Sequence, residues 1–374
     1  MTDFIIKEVT NKNIKKELEY IGFDSSYCEH AAGKFKYKNI KIFNLNPAQA
    51  NILKQTALSV GADCGTNKNV ITGSIDISNV ILGGSYNQIK NIAEKLKFQP
   101  FKLKILSENL IKFLNQTEKE TKIIGILNVT PDSFSDGGLN FKPDDAIKHL
   151  QKLINDGADG IDIGAESTRP YSMPVSDDEQ IKRLNPVLEF IQNEKINLPI
   201  SIDTRSSIVA SYVIDKGIKI INDVSGLEYD SNMYNVISGN NTKIIIQHSL
   251  GNPENMQDNP TYNNVVEEIY LSLLKKIELA NSKGITDIII DPGIGFGKTK
   301  EDNFEILNRI EEFYSLGYPI MIGLSRKSFL GIKENDNNIK DALSAAVSYP
   351  LLNKVDYLRV HNVKLYKYLL NLNS

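Results

Sequence analysis

The stretch from residue 122 to residue 164 begins with "KIIGILNV" (122–129), continues through "DDAIKHLQKLINDG" (144–157) and ends with "GIDIG" (160–164). The first and last segments are short β-branched runs, which are typical of buried strands. The middle segment ends at a glycine and places one set of apolar residues on a single helical face: Ala146, Ile147, Leu150, Leu153 and Ile154. The stretch therefore predicts a strand, a helix and a second strand.

The same alternation continues toward the C-terminus, with a longer helix predicted by "NNVVEEIYLSLLKKIELANSKG" in the fifth connection. The strand-like runs are "KIIGILNV", "GIDIG", "LPISID", "IKIIND", "TKIIIQH", "TDIIID", "YPIMIGL" and "DYLRV". Continuous apolar strands need cover on both faces, and eight strand–helix units over about 250 residues favour a closed (β/α)8 TIM barrel. A doubly wound open sheet is the alternative.

A hydrophilic stretch, "NQTEKET" (115–121), separates this pattern from a more mixed N-terminal region. We expect residues 1–115 to form a smaller α/β or α+β extension domain, residues 116–121 a linker, and residues 122–374 the barrel. Within the extension the sequence predicts a helix over 46–62 with Pro47 in its first turn, a strand over 79–84, a helix over 85–98 capped by Ser85, and a helix over about 107–115. No motif in the extension indicates chemistry.

The composition narrows the choice of partners and compartment. A formal net charge of −3 and a pI near 5.9 give no global basic field that would favour nucleic acid or an anionic membrane. Cys28 and Cys64 lie far apart without metal-ligand spacing, as expected of reduced thiols in a cytosolic protein. No apolar stretch reaches the ~20 residues that span a bilayer, and the N-terminus has no secretory signal. We therefore expect a cytoplasmic protein.

Polar residues stand at all eight predicted strand ends, where a (β/α)8 barrel builds its active site. They are Asn128, Glu166 to Arg169, Asp203, Asn222, Gln247 with His248, Asp291, Ser325 to Lys327, and Arg359 with His361. The alternative is that polar residues simply mark where strands stop. Repetition at every end favours a functional site.

Two chemical subsets can be distinguished among these residues. Carboxylates, an amide and an ammonium suit the edge of a flat nitrogen heterocycle: Asp203, Asn222, Asp291 and Lys327. A group of cationic side chains with a hydroxyl suits a di- or polyphosphate: Thr168, Arg169, Arg359 and His361. A structural ion pair is the alternative for Arg359, and a satisfied core histidine for His361. Arg326 and Lys327 are adjacent, so only one is expected to enter the barrel mouth.

The segment "DPGIGFGKT" (291–299) nearly matches the phosphate-binding pattern G-x-x-x-x-G-K-[ST], but Pro292 stands at the first glycine position. Proline cannot supply the backbone geometry required there. The loop also follows the sixth predicted strand and not the first strand of a nucleotide fold. The sequence therefore argues against nucleotide hydrolysis.

Seven segments in order resemble the successive motifs of the dihydropteroate synthase family, over about residues 122–374. They are "GILNVTPDSFSDGG", "IDIGAESTRP", "SIDT", "INDVSG", "DPGIGFGK", "GLSRKSFLG" and "RVHNV". The first is the most specific. The resemblance implies condensation of (7,8-dihydropterin-6-yl)methyl diphosphate with 4-aminobenzoate, giving dihydropteroate and diphosphate in folate biosynthesis. It also implies Mg²⁺, inhibition by sulfonamides and a homodimer.

The resemblance carries roles to individual positions. The pterin would be held by Asp203, Asn222, Asp291 and Lys327, with Arg359 stacking over it. The diphosphate would be held by Thr168, Arg169, Arg359 and His361, and Mg²⁺ by Asn128. The 4-aminobenzoate pocket would be formed by Phe134, Pro170, Phe296, Lys327 and Ser328. Among the positions that depart from the family's usual pattern, three bear on activity or sulfonamide sensitivity: Tyr171, Ser249 and Asn362.

An arylamine is already neutral at pH 7, so no general base is required, and the barrier lies in breaking the C–O bond to diphosphate. This chemistry predicts an SN1-like substitution in which Asp136 faces the developing methylene cation and Lys327 contributes to catalysis. For Phe134 the alternative is an aromatic folded against the barrel rim. Two other functions remain open: a folate/corrinoid methyltransferase, which has no use for a diphosphate site, and a catalytically silent pterin-binding paralogue.

Overall fold

The computed structural model describes residues 7, 9, 14–115, 119–130, 143–166, 174–251, 260–331 and 336–373. The chain divides into two compact units, Met1–Thr117 and Glu118–Ser374. Within the described ranges, no helix combines the length and apolar character needed to cross a bilayer.

The N-terminal unit combines a small antiparallel sheet with helices. Its helices are α1 (Ile14–Tyr20), α2 (Cys28–Ala32), α3 (Pro47–Leu58), α4 (Tyr86–Leu96) and α5 (Leu103–Leu114). Its strands are β1 (Tyr37–Leu45), β2 (Asp63–Gly65) and β3 (Ser78–Ser85), arranged in the order β1-β3-β2. A short 3-10 helix, Lys68–Val70, follows β2.

Capping residues explain where two of these helices begin. Asn46 accepts a hydrogen bond from the backbone N–H of Gln49, and Ser85 accepts one from that of Gln88. In both cases the glutamine side chain accepts from the cap's own N–H, which completes a capping box. The predicted helices after Asn46 and Ser85 are thus confirmed, as are the strand at 79–84 and a helix ending near residue 115. The strands β1 and β2 were not predicted.

The C-terminal unit contains the eight predicted parallel strands. They are β4 (Lys122–Asn128), β5 (Gly160–Gly164), β6 (Ile200–Asp203), β7 (Ile220–Asp223), β8 (Lys243–Gln247), β9 (Ile288–Asp291), β10 (Met321–Ile322) and β11 (Tyr357–Val360). The helices are α6 (Pro143–Asn155), α7 (Asp177–Asn193), α8 (Ser207–Asp215), α9 (Met233–Asn240), α10 (Val265–Ser282), α11 (Lys300–Asn308), α12 (Asn337–Ser348) and α13 (Val363–Asn373). Short 3-10 helices cover Ile310–Leu316, Ser328–Leu330 and Tyr349–Leu351.

The strands pair in the order β10-β11-β4-β5-β6-β7-β8-β9. A parallel bridge between Ile290 and Ile320 joins β9 to the segment entering β10, and the Ile290 N–H donates to the Pro319 carbonyl at 2.9 Å. The sheet therefore closes on itself. This closure confirms the predicted (β/α)8 barrel and excludes the open doubly wound sheet.

The barrel core lies mainly between the strands and their covering helices. On α6 the predicted apolar face is confirmed, since Ala146, Leu150 and Leu153 are buried and Ile147 and Ile154 are half-buried. Strands β5, β6 and β9 are buried along their whole length. This packing fixes the strand ends at one rim, where the predicted site residues stand.

Candidate active site

Asp162, in the middle of β5, is fully buried and joins three other strands. Its carboxylate accepts hydrogen bonds from Ser201 Oγ at 2.5 Å, Asn222 Nδ2 at 3.1 Å and Arg359 Nε at 2.5 Å. Three donors balance the charge of a carboxylate that is removed from water. Asp162 therefore orients two of the predicted site residues.

Arg359, on β11, bridges two carboxylates. Besides Asp162, its guanidinium contacts Asp203 at the end of β6, with 3.0 Å between Nη2 and Oδ2. Burial raises the pKa of Asp203, and the charge of Arg359 opposes this rise. The ion pairs that were the alternative for Arg359 are thus present, and they place its guanidinium beside the predicted pterin residues.

Asn222, on β7, is 2% exposed, and only one of its two amide polar atoms has a hydrogen-bond partner among the described residues. Its Nδ2 donates to Asp162, while its Oδ1 has no hydrogen-bond partner among the described residues. An unpaired buried oxygen is costly, by ~1–3 kcal/mol. The arrangement suits a ligand that presents an N–H to this oxygen.

Asp291, Phe296 and Lys327 form a second group, at the ends of β9 and β10. Asp291 Oδ1 accepts from the Gly293 N–H at 2.7 Å, and burial raises the pKa of this carboxyl. Lys327 Nζ donates to the Ile294 carbonyl and lies 4.2 Å from the centroid of the Phe296 ring. Burial lowers the pKa of Lys327 to about 7, with Asp291 acting in the opposite direction. The Lys327 amino group therefore lies near the aromatic ring and is bonded to the segment that follows β9.

The remaining predicted residues within the described ranges lie at other strand ends. His361 follows β11, and its Nδ1 is 3.0 Å from Ser325 Oγ. Ser328 is exposed and begins the 3-10 helix Ser328–Leu330. Asn128 ends β4 beside Gly164, where a Cβ would lie 3.5 Å from Asn128 Oδ1 and 3.6 Å from the Asp203 Cβ. Asn128 and Asp203 thus flank one glycine.

Arg326 and Lys327 point to different partners, as the sequence predicts for adjacent residues. Arg326 forms a two-pronged ion pair with Asp341 on α12, at 2.6 and 2.8 Å. Asn362 Nδ2 also donates to Asp341, at 3.1 Å. Arg326 therefore has a structural role. Asn362, which differs from the family's usual residue, donates to the same carboxylate.

Sequence reasoning missed two buried polar groups next to the predicted site, Asp162 and Lys298, and it missed the buried partner of Glu166. For Asp162, a carboxylate inside an apolar run was itself a signal that a buried partner exists. Glu166 pairs with Arg205 at 3.1 Å, and the Arg205 guanidinium lies 4.2 Å from the Tyr229 ring centroid. Lys298 is 3% exposed and contacts His248. Its segment nearly matches a phosphate loop, a pattern that predicts an exposed lysine and not this internal contact.

Several predicted residues lie outside the described ranges: Phe134, Asp136, Thr168, Arg169, Pro170 and Tyr171. Their proposed roles stay predictions. In the sequence these residues follow β4 and β5, the strands that carry Asn128 and Asp162.

The oxygen donors at this rim could hold Mg²⁺ only together with oxygens of a bound phosphate group. No cluster of three or more His, Cys, Asp or Glu residues is found in the ranges that the structure describes. Asn128 Oδ1, beside the Asp203 side chain, is an oxygen donor of the kind that Mg²⁺ accepts. Because Mg²⁺ usually takes few protein ligands and completes its shell with phosphate oxygens and water, this set is compatible with it.

Comparisons with known proteins agree with this geometry. A profile of the pterin binding enzymes matches residues 124–361. A dihydropteroate synthase of Clostridium beijerinckii is 41% identical over 250 residues, covering 66% of this chain and 90% of the relative. The solved structure of Xanthomonas albilineans dihydropteroate synthase with 4-aminobenzoic acid is 34% identical, with a TM-score of 0.62, and the match covers 68% of this chain and 92% of that one.

A further relative extends the match into the N-terminal unit. A probable bifunctional folylpolyglutamate synthase/dihydropteroate synthase of Haloferax volcanii is 33% identical over 345 residues, 84% of this chain and 40% of the relative. That share of this chain exceeds the Glu118–Ser374 unit, so part of the N-terminal unit has a counterpart there. Fold, strand-end residues and relatives agree, and the chain belongs to the dihydropteroate synthases of the pterin-binding enzyme family.

Proposed function

We infer that the chain is a dihydropteroate synthase of folate biosynthesis. It joins (7,8-dihydropterin-6-yl)methyl diphosphate to 4-aminobenzoate, with release of diphosphate. The family match and the relatives support this activity. The residue roles below are our proposals.

The observation that carries the proposal is the unpaired Asn222 Oδ1 inside the buried polar cluster. We propose that this oxygen accepts an N–H of the pterin, with Asp203 and Asp291 accepting others. Both carboxyls have pKa values raised by burial, so a ligand N–H would stabilise their charged forms. An apolar ligand would leave these groups without partners.

For 4-aminobenzoate, we propose a pocket that includes Phe296, Lys327 and Ser328. The Phe296 ring and the Lys327 ammonium are already 4.2 Å apart, and Ser328 is adjacent and exposed. An aromatic face with a nearby cation and hydroxyl suits a flat ring that carries a carboxylate. Phe134 and Pro170 would complete the pocket.

The diphosphate is assigned to Arg359 and His361 together with Thr168 and Arg169. Arg359 lies on β11 and His361 directly follows that strand, two residues further along the chain, a spacing that directs side chains of an extended segment to the same face. Mg²⁺ would be held by Asn128 and the diphosphate, and would neutralise departing negative charge. Removal of free Mg²⁺ should then weaken diphosphate binding more than pterin binding.

The chemistry requires little proton transfer. The arylamine nitrogen is neutral at pH 7 and attacks without a general base. Arg359 and His361 stabilise the leaving group, and Asp136 faces the carbon that becomes cationic as the C–O bond breaks. The cation then forms its C–N bond to the amine, which loses a proton. Exclusion of water from the barrel mouth favours the amine over hydrolysis.

A folate/corrinoid methyltransferase is less well supported, because a diphosphate set has no role in methyl transfer. A silent paralogue is less well supported because the described polar cluster is intact at its strand ends. We also propose a cytoplasmic homodimer, on the family resemblance alone.

The activity is tested by incubating the purified chain with pterin diphosphate, 4-aminobenzoate and Mg²⁺, and measuring dihydropteroate and diphosphate. We expect the two products in equal amounts. Lys327→Ala should lower kcat/KM by about 100-fold or more, the scale of a lost preorganised cation. A folded wild-type chain that gave no more product than this variant would rule out the synthase. Competition by a sulfonamide against 4-aminobenzoate would test the pocket separately.

A further inference from the structure

The "GKT" segment at 297–299, which resembles part of a phosphate loop, is engaged inside the protein. Thr299 caps α11, since its Oγ1 accepts from the Asp302 N–H at 3.1 Å and donates to Asp302 Oδ2 at 2.7 Å. Lys298 Nζ donates to the Phe296 carbonyl at 2.9 Å, to His248 Nδ1 at 3.1 Å and to the His248 carbonyl at 3.4 Å. An ammonium has three donors, and all three are used.

We propose that Lys298 is a positioning residue for the aminobenzoate pocket. It ties the backbone of Phe296 to His248 at the end of β8, and thereby fixes the aromatic wall of the pocket. The inference rests on the proposed function, which assigns Phe296 to that pocket. It gives the near-phosphate-loop lysine a role that involves no phosphate.

The loop after β9 cannot hold this shape through its own backbone preferences. Gly293 and Gly295 have φ of +73° and +81°, a region that glycine enters freely but is not confined to. A Cβ on Gly293 would lie 1.8 Å from the His248 carbonyl oxygen, so the loop packs directly on the end of β8. Its conformation must be held from outside.

Hydrogen bonds to side chains supply that support on both sides of Phe296. The Gly295 N–H donates to Asn303 Oδ1 at 2.7 Å. Tyr262 Oη donates to the Gly297 carbonyl at 2.8 Å. Lys298 donates to the carbonyl of Phe296 itself. Of these three side chains, it is the one bonded to the residue that carries the aromatic ring.

Burying the Lys298 side chain costs folding free energy, so we expect its contacts to serve a purpose. The side chain is 3% exposed, and its three contacts are two carbonyls and an imidazole. A buried ammonium without a direct carboxylate partner loses hydration that neutral acceptors replace incompletely. While Lys298 is protonated it only donates, so His248 Nδ1 accepts and the ring proton lies on Nε2. In that state Lys298 sets the tautomer of His248 as well as the loop.

The test compares Lys298→Met with Lys276→Met. Lys276 is also a buried lysine, at 7% exposure, but it contacts the Ser225 carbonyl and Glu228. For Lys298→Met we expect the KM for 4-aminobenzoate to rise about 10-fold, the scale of one lost hydrogen bond to a charged group. The Kd for pterin diphosphate alone should change less than about 3-fold. Lys276→Met should not raise the KM for 4-aminobenzoate more than it raises the Kd for pterin diphosphate.

Equal losses in both constants, or a loss of thermal stability with no change in either, would overturn the proposal. If Lys298→Met does not fold, Tyr262→Phe tests the same loop from the other side. It should raise the KM for 4-aminobenzoate in the same direction and leave pterin binding unchanged, and an unchanged KM would overturn the proposal. A wild-type chain without activity would instead refute the proposed function, so the two failures are distinguishable.

Discussion

Asp162 is a fully buried carboxylate on β5 whose three side-chain donors come from β6, β7 and β11. A carboxylate within "GIDIG" stands in an otherwise apolar strand, so its burial was foreseeable. Its partners were not, because Ser201, Asn222 and Arg359 lie on strands whose register only the closed sheet determines. The sequence alone could predict which polar residues lie at the strand ends. The contacts between those residues could be known only from the folded structure.

The buried ammonium of Lys298 gives a pH-dependent prediction. Burial lowers its pKa in the folded state from 10.5 to about 7. Between these values the unfolded chain binds the proton and the folded chain releases it, so folding stability rises with pH across this window. Below pH 7 both states bind it and the slope vanishes. Above pH 7, the free energy of unfolding of the wild type should rise relative to that of Lys298→Met by up to ~1.4 kcal/mol per pH unit.

Urea denaturation at pH 6, 7, 8 and 9 measures this difference. Lys283→Met, which removes an exposed lysine, is the control and should follow the wild-type slope. Parallel curves for wild type and Lys298→Met would show that Lys298 keeps an ordinary pKa.

At the scale of elements, the eight barrel strands could be predicted because each is a short β-branched run bounded by polar residues. In the N-terminal unit β1 was missed, since "YKNIKIFNL" (37–45) mixes exposed lysines and asparagines with half-buried isoleucines, which weakens the apolar signal. The three residues of β2 are too few to show a period. Both strands are stabilised by backbone hydrogen bonds to β3, which their own sequence patterns do not reveal.

One carboxylate links the starts of the barrel strands at the end opposite the site. Asp356 Oδ2 accepts from the Ile320 N–H at 2.7 Å and from Lys119 Nζ at 3.0 Å. Asp356→Ala leaves that N–H unpaired, so we expect a loss of about 1–3 kcal/mol in the free energy of unfolding. The kcat should be unchanged because catalysis occurs at the other rim.

Asp287→Ala is the matched control for this loss. Its carboxylate pairs with Lys243 at 3.3 Å but is 61% exposed, so the change should stay below about 0.5 kcal/mol. Similar losses for both variants, measured by urea denaturation, would contradict the assigned role of Asp356.

At the scale of the whole molecule, the family match at 124–361 falls within the Glu118–Ser374 unit. The Clostridium beijerinckii relative is matched over 90% of its length by 66% of this chain, so most of that enzyme corresponds to the barrel. The residues assigned to substrates all lie in this unit. Motif order in the sequence was sufficient to predict the fold and family, because each motif sits at a strand end. The role of the N-terminal unit is not encoded in any such motif.

The pterin site is tested most directly at Asn222. Two buried oxygens have no partner among the described residues, Asn222 Oδ1 and Thr242 Oγ1, and Thr242 lies before β8, at the opposite end of the barrel. Thr242→Val should lower the free energy of unfolding by less than about 1.5 kcal/mol, since it removes an unpaired polar atom. Asn222→Leu also removes the Nδ2 donor to Asp162, so its loss should be larger, about 1–3 kcal/mol.

The decisive measurement is the Kd for pterin diphosphate, by calorimetric titration of the wild type and these two variants. We expect Asn222→Leu to weaken binding at least about 30-fold, the loss of hydrogen bonds to a buried ligand, and Thr242→Val to leave it unchanged. A folded Asn222→Leu variant that binds the pterin as tightly as the wild type would contradict the assignment of this buried cluster to the pterin.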